Sequence, residues 1–257
     1  MKNIELLIIL LVALLLPILS CPMAQAGERP LRIYCVYHAA HGFRAIGRHY
    51  QKQAGISLQL PLHCRDHFTP TAQSLKEGDL YLTTSRASMA KAREDGLLDS
   101  APQRIGRVVP IIAVMKGNPH KIRSLAELSR KGLVVAYPST CIGNVALAII
   151  HKNKLDGTVK PNMTIRTGNR TGVLNPLVAG KAHAAITWRC AIIESGRKDL
   201  DVIAIPQEQN IIDPLLIATL KSSPDQARAR AFLNYLAGKA AKEILRAHCL
   251  AGEQAAE

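Results

Sequence analysis

Aromatic side chains are scarce in this 257-residue chain: one Trp, three Phe and six Tyr, 4% in all. Proteins that hold single-stranded nucleic acid stack bases on such rings, and the basic residues here are scattered instead of forming one tract. No nucleic-acid partner is therefore expected. Acid is in short supply too, with 19 Asp and Glu against 33 Lys and Arg and a formal net charge of +14. That balance leaves a basic surface open to anionic ligands or partners. Beyond the first 20 residues no apolar run approaches the length of about 20 that crosses a bilayer, which argues against a later membrane span. Internal repeats and low-complexity stretches are absent. So is any Cys-x-x-Cys pair, which removes the usual signature of a structural zinc site.

What is present begins with an address. A short charged start, the apolar run Leu6 to Leu16, the Pro17 break and Ala24-Gln25-Ala26 before Gly27 have the layout of a secretory signal peptide cleaved after Ala26. A competing reading takes Ile18-Leu19-Ser20-Cys21 as a lipoprotein box, with Cys21 anchoring the protein to lipid. Both readings put the mature protein in the periplasm. There disulfides persist, and with Cys35, Cys64, Cys141, Cys190 and Cys249 an odd number remains, so at least one free thiol is expected.

Along the chain, apolar strands alternate with helices. Strands are expected over 31–37, 56–62, 79–83, 108–115, 133–137, 163–167, 184–188, 201–205 and 214–220. Helices are expected over 42–53, 71–77, 86–94, 124–131, 141–152 and 172–179, with a closing pair over 224–248. Ser124 followed by Glu127 is a capping-box pattern. Strand, loop, helix in repetition argues for an α/β protein with mostly parallel sheets flanked by helices.

Cysteines and histidines gather where strands give way to loops: Cys35, His38 and His41, then Cys64 and His67, then Cys141, then Cys190. Thiolate and imidazole bind soft and borderline metals, and strand ends are where open α/β sheets hold ligands. Cys-x-x-His occurs twice, at Cys35/His38 and Cys64/His67, yet neither is specific alone. The plain alternative is a disulfide, Cys64 with Cys35 or Cys141 with Cys190.

Several blocks resemble the periplasmic molybdate-binding proteins of ABC importers. They are Tyr50-Gln51-Lys52-Gln53-Ala54-Gly55-Ile56, Gly78-Asp79-Leu80-Tyr81-Leu82-Thr83-Thr84, Val114-Met115-Lys116-Gly117-Asn118-Pro119, Ser124-Leu125-Ala126-Glu127-Leu128, Val178-Ala179-Gly180-Lys181-Ala182-His183-Ala184-Ala185 and Phe232-Leu233-Asn234-Tyr235-Leu236. The resemblance implies a two-lobe type II periplasmic binding fold with a ligand cleft between lobes. Lobe 1 would take 27–114 and 206–257, and lobe 2 would take 115–205, after a leader over 1–26. It also implies a monomer that delivers a small inorganic ligand to a membrane permease, without enzymatic activity or a catalytic cofactor.

This chain departs from the family at the cleft walls. His38 falls where the family has an oxyanion-holding serine, His63-Cys64-Arg65-Asp66-His67 replaces a serine-glycine turn, and Thr140-Cys141 and Trp188-Arg189-Cys190 stand at the second lobe's loops. Thiolates repel an oxyanion, so the expected ligand is a transition metal or its complex. Its holders would be His38, Cys64, Cys141 and Cys190, with His67 and His41 nearby and Thr83, Thr84, Thr140 and Trp188 as polar wall. The alternative is molybdate or tungstate, with the cysteines in disulfides and Arg65, Arg86, Arg170 and Arg189 welcoming the anion. An exported thiol enzyme and an accessory protein of a sensor kinase are the remaining readings, and the leader together with the lack of a DNA-binding helix pair excludes a transcription regulator.

Overall fold

The computed structural model describes residues 29–64, 68–139 and 141–251, with the backbone alone for residues 141–143. The expected leader, Cys21, His67 and Thr140 lie outside the described residues, as does the side chain of Cys141.

Two sheets organise the chain. The first contains β1 (Leu31–Val36), β2 (Leu58–Gln59), β3 (Leu62–His63), β4 (Leu80–Thr83), β5 (Gln103–Val108) and β11 (Asp213–Thr219), in the order β2-β1-β4-β11-β5 with β3 also on β1. The second contains β6 (Pro110–Met115), β7 (Val135–Pro138), β8 (Ile165–Thr167), β9 (Ala184–Trp188) and β10 (Leu200–Ala204), in the order β10-β6-β9-β7-β8. Pairings of β1 with β2, β3 and β4 and of β7 with β8 and β9 are parallel; β11 and β6 pair antiparallel with their neighbours. This is the two-lobe α/β architecture expected from the sequence. The expected crossing after residue 114 comes earlier, because β6 belongs to the second sheet and only Val109 separates it from β5.

Helices cover the sheets. In α1 (Ala40–Ala54) the buried Phe43, Ile46, Gly47 and Tyr50 recur at helical spacing, and Gly55 closes the helix in the left-handed region at φ 74°. The ring of Tyr50 meets Phe232 of α6 (Gln226–Ala237) edge-on at 5.0 Å, and α7 (Lys239–Ala247) follows after Gly238. Capping fixes two starts: the Ser85 hydroxyl accepts from the Ser88 amide ahead of α2 (Arg86–Glu94), and the Asp225 carboxylate from the Arg228 amide ahead of α6. In the second lobe α3 is Cys141–Lys152, α4 is Asn175–Val178 and α5 is Arg189–Ser195.

Three expected helices shrink, each for a local reason. Over 71–77 the chain makes turns, because Thr71 and Ser74 exchange bonds between hydroxyl and amide at 2.8 and 3.0 Å and Glu77 turns left-handed at φ 56°. Over 124–131 only a 3-10 turn forms at Ala126–Ser129; the Glu127 carboxylate reaches back to the Arg123 amide instead of that of Ser124. Pro176 delays the third, which starts as a 3-10 turn at Gly172–Leu174 before α4. Strand β5, unforeseen for its arginines, is a sheet edge. Its Gly106 lies so close to the Leu250 carbonyl that any Cβ would overlap it, and the Arg107 amide donates to that carbonyl at 2.7 Å.

Candidate functional site between the sheets

Strand ends supply the site. From the first sheet, β1 passes through a 3-10 turn at Tyr37–Ala39 into α1, and β4 ends at Thr83 before Thr84 and the Ser85 cap of α2. From the second, β9 ends at Trp188 and runs directly into α5, while β8 leads to Arg170. Helix starts of this kind present backbone N–H groups, which favour negative charge.

His38 is buried at the centre. Its Nε2 shares a 2.9 Å hydrogen bond with the Thr84 hydroxyl, tying the loops after β1 and β4 together. Its ring lies 5.5 Å from that of Trp188, which comes from the other sheet. The Cys190 thiol makes a long 4.0 Å contact to the His38 carbonyl. Trp188, the chain's one tryptophan, is 0% exposed, and among the described residues its indole N–H has no partner. A buried donor left unpaired costs on the order of 1–3 kcal/mol, so it marks a place where a ligand's acceptor would be repaid. Of the remaining wall residues, Thr83 is buried but its hydroxyl already accepts from the Ser85 amide at 3.1 Å.

Arg170 is the buried cation of this region, 3% exposed. Its Nε donates to Glu194 of α5 at 2.7 Å, its Nη1 donates to the Tyr37 carbonyl at 3.3 Å, and its guanidinium stacks 5.2 Å from the centre of the Tyr37 ring. The Thr187 hydroxyl donates to its carbonyl at 3.0 Å. With Glu194 so close, Arg170 contributes a neutralised pair and not a free positive charge. Sequence reasoning singled out Arg170 among four arginines but missed Glu194 and Tyr37, since neither partner is near it in the chain.

Among the described residues the expected metal set does not assemble; His67 and the side chain of Cys141 lie outside them. Cys64 is half of a disulfide, which removes its thiolate. Cys35, Cys190 and Cys249 are in no disulfide, so Cys64 pairs with none of them, and both disulfides weighed from the sequence are excluded. Burial pushes the Cys190 thiol up to about 11, against a smaller opposing pull from Arg170, and holds it as neutral S–H. Cys35 is fully buried in the core and its thiol is raised further by the same cause. His41 lies edge-on to His248 at 4.8 Å. Among the described residues no group of three or more His, Cys, Asp or Glu is arranged to hold a metal ion.

Residues 31–249 match the model of the bacterial extracellular solute-binding proteins. The chain belongs to that family. It is similar to the molybdate-binding protein ModA of Mycobacterium tuberculosis, at 25% identity over 227 residues that cover 85% of this chain and 83% of that protein. In fold it resembles the periplasmic molybdate-binding protein of Azotobacter vinelandii, with a TM-score of 0.68 at 14% identity over 87% of this chain and 100% of that one. The iron-bound HitA of Pseudomonas aeruginosa scores 0.67 at 16% identity, covering 84% of each chain. One fold thus serves both an oxyanion and a metal, and side chains must choose between them. Among the described residues no helix is long and apolar enough to cross a membrane.

Proposed function

We propose that this solute-binding protein captures a tetrahedral oxyanion of the molybdate and tungstate class between its two sheets, outside the cytoplasm, and presents it to the permease of an ABC importer. The observation that carries this reading is the unpaired indole N–H of Trp188, fully buried beside His38 and Thr84. An oxyanion needs many donors and no nearby thiolate. Here Cys190, which contacts the His38 carbonyl, is a neutral thiol, and the buried Arg170 is already paired with Glu194. Neutral donors and helix N-termini can then hold a dianion without the desolvation cost of an unpaired charge. The molybdate-binding relatives support the same ligand class.

The test is calorimetric titration of the mature protein with molybdate, tungstate, sulfate and phosphate, with Trp188 fluorescence followed in parallel. One oxyanion per chain with a change in emission is expected. No binding of any of the four, together with a stoichiometric transition metal in protein isolated under native conditions, would replace this reading with the metal one.

A further inference from the structure

We propose that Arg170 and Tyr37 form the latch that sets how often the cleft is closed, a role that rests on the cleft being the ligand site. Arg170 is anchored in the second lobe by Glu194 through its Nε and by the Thr187 hydroxyl through its carbonyl. Among the described residues its hydrogen bond and ring contact to the first lobe both fall on Tyr37: one bond to the main-chain carbonyl and the face of the ring. Tyr37 is 52% exposed, an unusual place for a large aromatic ring. The ring covers a guanidinium that would otherwise meet water at the lobe boundary.

The placement gives the latch leverage. Tyr37 opens the 3-10 turn that carries His38, so holding Tyr37 holds the imidazole against Trp188 and the His38 carbonyl over the Cys190 thiol. A hydrogen bond and a cation–π contact at a half-wet site together favour the closed state about tenfold. That is enough to tilt a two-state equilibrium without freezing it, which a protein that must release its ligand requires. Arg170 and Tyr37 are thus positioning residues; the ligand's own contacts are made by others.

Cys190 supplies a native reporter, since it is a free thiol buried at this boundary, and Cys35 is the control, buried within the first lobe's core. The experiment compares alkylation rates by a maleimide, resolved by peptide mass spectrometry, in ligand-free wild type, Arg170→Lys, Tyr37→Ala and the double variant. Tyr37→Ala changes an exposed side chain and keeps the fold testable if Arg170→Lys leaves Glu194 poorly paired. Cys190 is expected to react about tenfold faster in Arg170→Lys, about threefold faster in Tyr37→Ala, which loses the ring but keeps the carbonyl, and no faster in the double than in Arg170→Lys, with the Cys35 rate unchanged. A wild-type Cys190 rate in Tyr37→Ala, an additive double, or a parallel rise at Cys35 would each overturn the latch. Failure of every oxyanion to bind, with the Cys190 pattern as expected, would instead sink the ligand assignment and leave the latch standing.

Discussion

His38 and His63 are two buried imidazoles at the ends of adjacent parallel strands, His63 registered against Val36 just two residues before His38. Their surroundings differ. The ring of His63 stacks on Phe68 at 4.3 Å and faces Tyr81 at 5.4 Å, its Nε2 donates to the Leu82 carbonyl at 3.0 Å, and every one of these neighbours belongs to the first lobe. His38 bonds to a side-chain hydroxyl and looks across to Trp188 and Cys190 of the second lobe. The first histidine completes a core; the second belongs to a surface that another lobe can cover or leave. Residue type at a strand end therefore says little about ligation, and what stands opposite says most.

The comparison breaks first at the covalent bond. The loop after β3 is stapled through Cys64, whereas the loop after β1 is held by hydrogen bonds and ring contacts. Reduction of the native protein should lower its unfolding free energy by about 2–4 kcal/mol, read as an earlier urea midpoint with reductant present. An unmoved midpoint would mean that the bridge adds nothing to stability. Next comes the cleft itself. Trp188→Phe keeps the ring against His38 and removes only the N–H together with part of the ring's volume, so oxyanion affinity should fall about tenfold by calorimetry. His63→Gln, by contrast, should leave that affinity where it is. Equal losses in both variants would erase the distinction between the two histidines.

Much of this was legible beforehand, and the misses have a common cause. Helix α2 has the bounds expected from sequence, and Ser85 caps its start; over 71–77 a helix is expected but turns form because Thr71 and Ser74 bond each other's amides. The two-lobe layout follows from alternation along the chain and from blocks of family resemblance. Clustering of Cys and His at strand ends was visible too, but its meaning was not. Oxidation of Cys64, the neutral burial of Cys190 and the pairing of Arg170 with Glu194 depend on partners remote in sequence, or on dielectric surroundings that no local pattern encodes. The unpaired indole of Trp188 is of the same kind, since a lone tryptophan usually reads as core.

The smallest effect expected is also the sharpest test of what His63 is for. Burial holds its imidazole below the ordinary histidine value, against the smaller opposing pull of backbone hydrogen bonds with Leu82 and Cys64, so protonation there carries a penalty. Above about pH 6.5, where an unfolded histidine is neutral, the group is uncharged in both states and contributes no pH dependence. As pH falls below that value the unfolded chain takes up the proton first, so the folded state loses stability progressively until its own depressed value is reached. His183, whose Nδ1 accepts from the Val134 amide at 2.8 Å, and His248 are held low by burial as well and add to the same slope. In His63→Gln the fall in urea midpoint between pH 7 and pH 5 should be shallower than in wild type, while at pH 7 the variant loses about 1 kcal/mol with the Leu82 bond and the stacking on Phe68. A slope identical to wild type would mean that His63 is protonated without penalty in the folded protein, and the contrast with His38 would then rest on Trp188 alone.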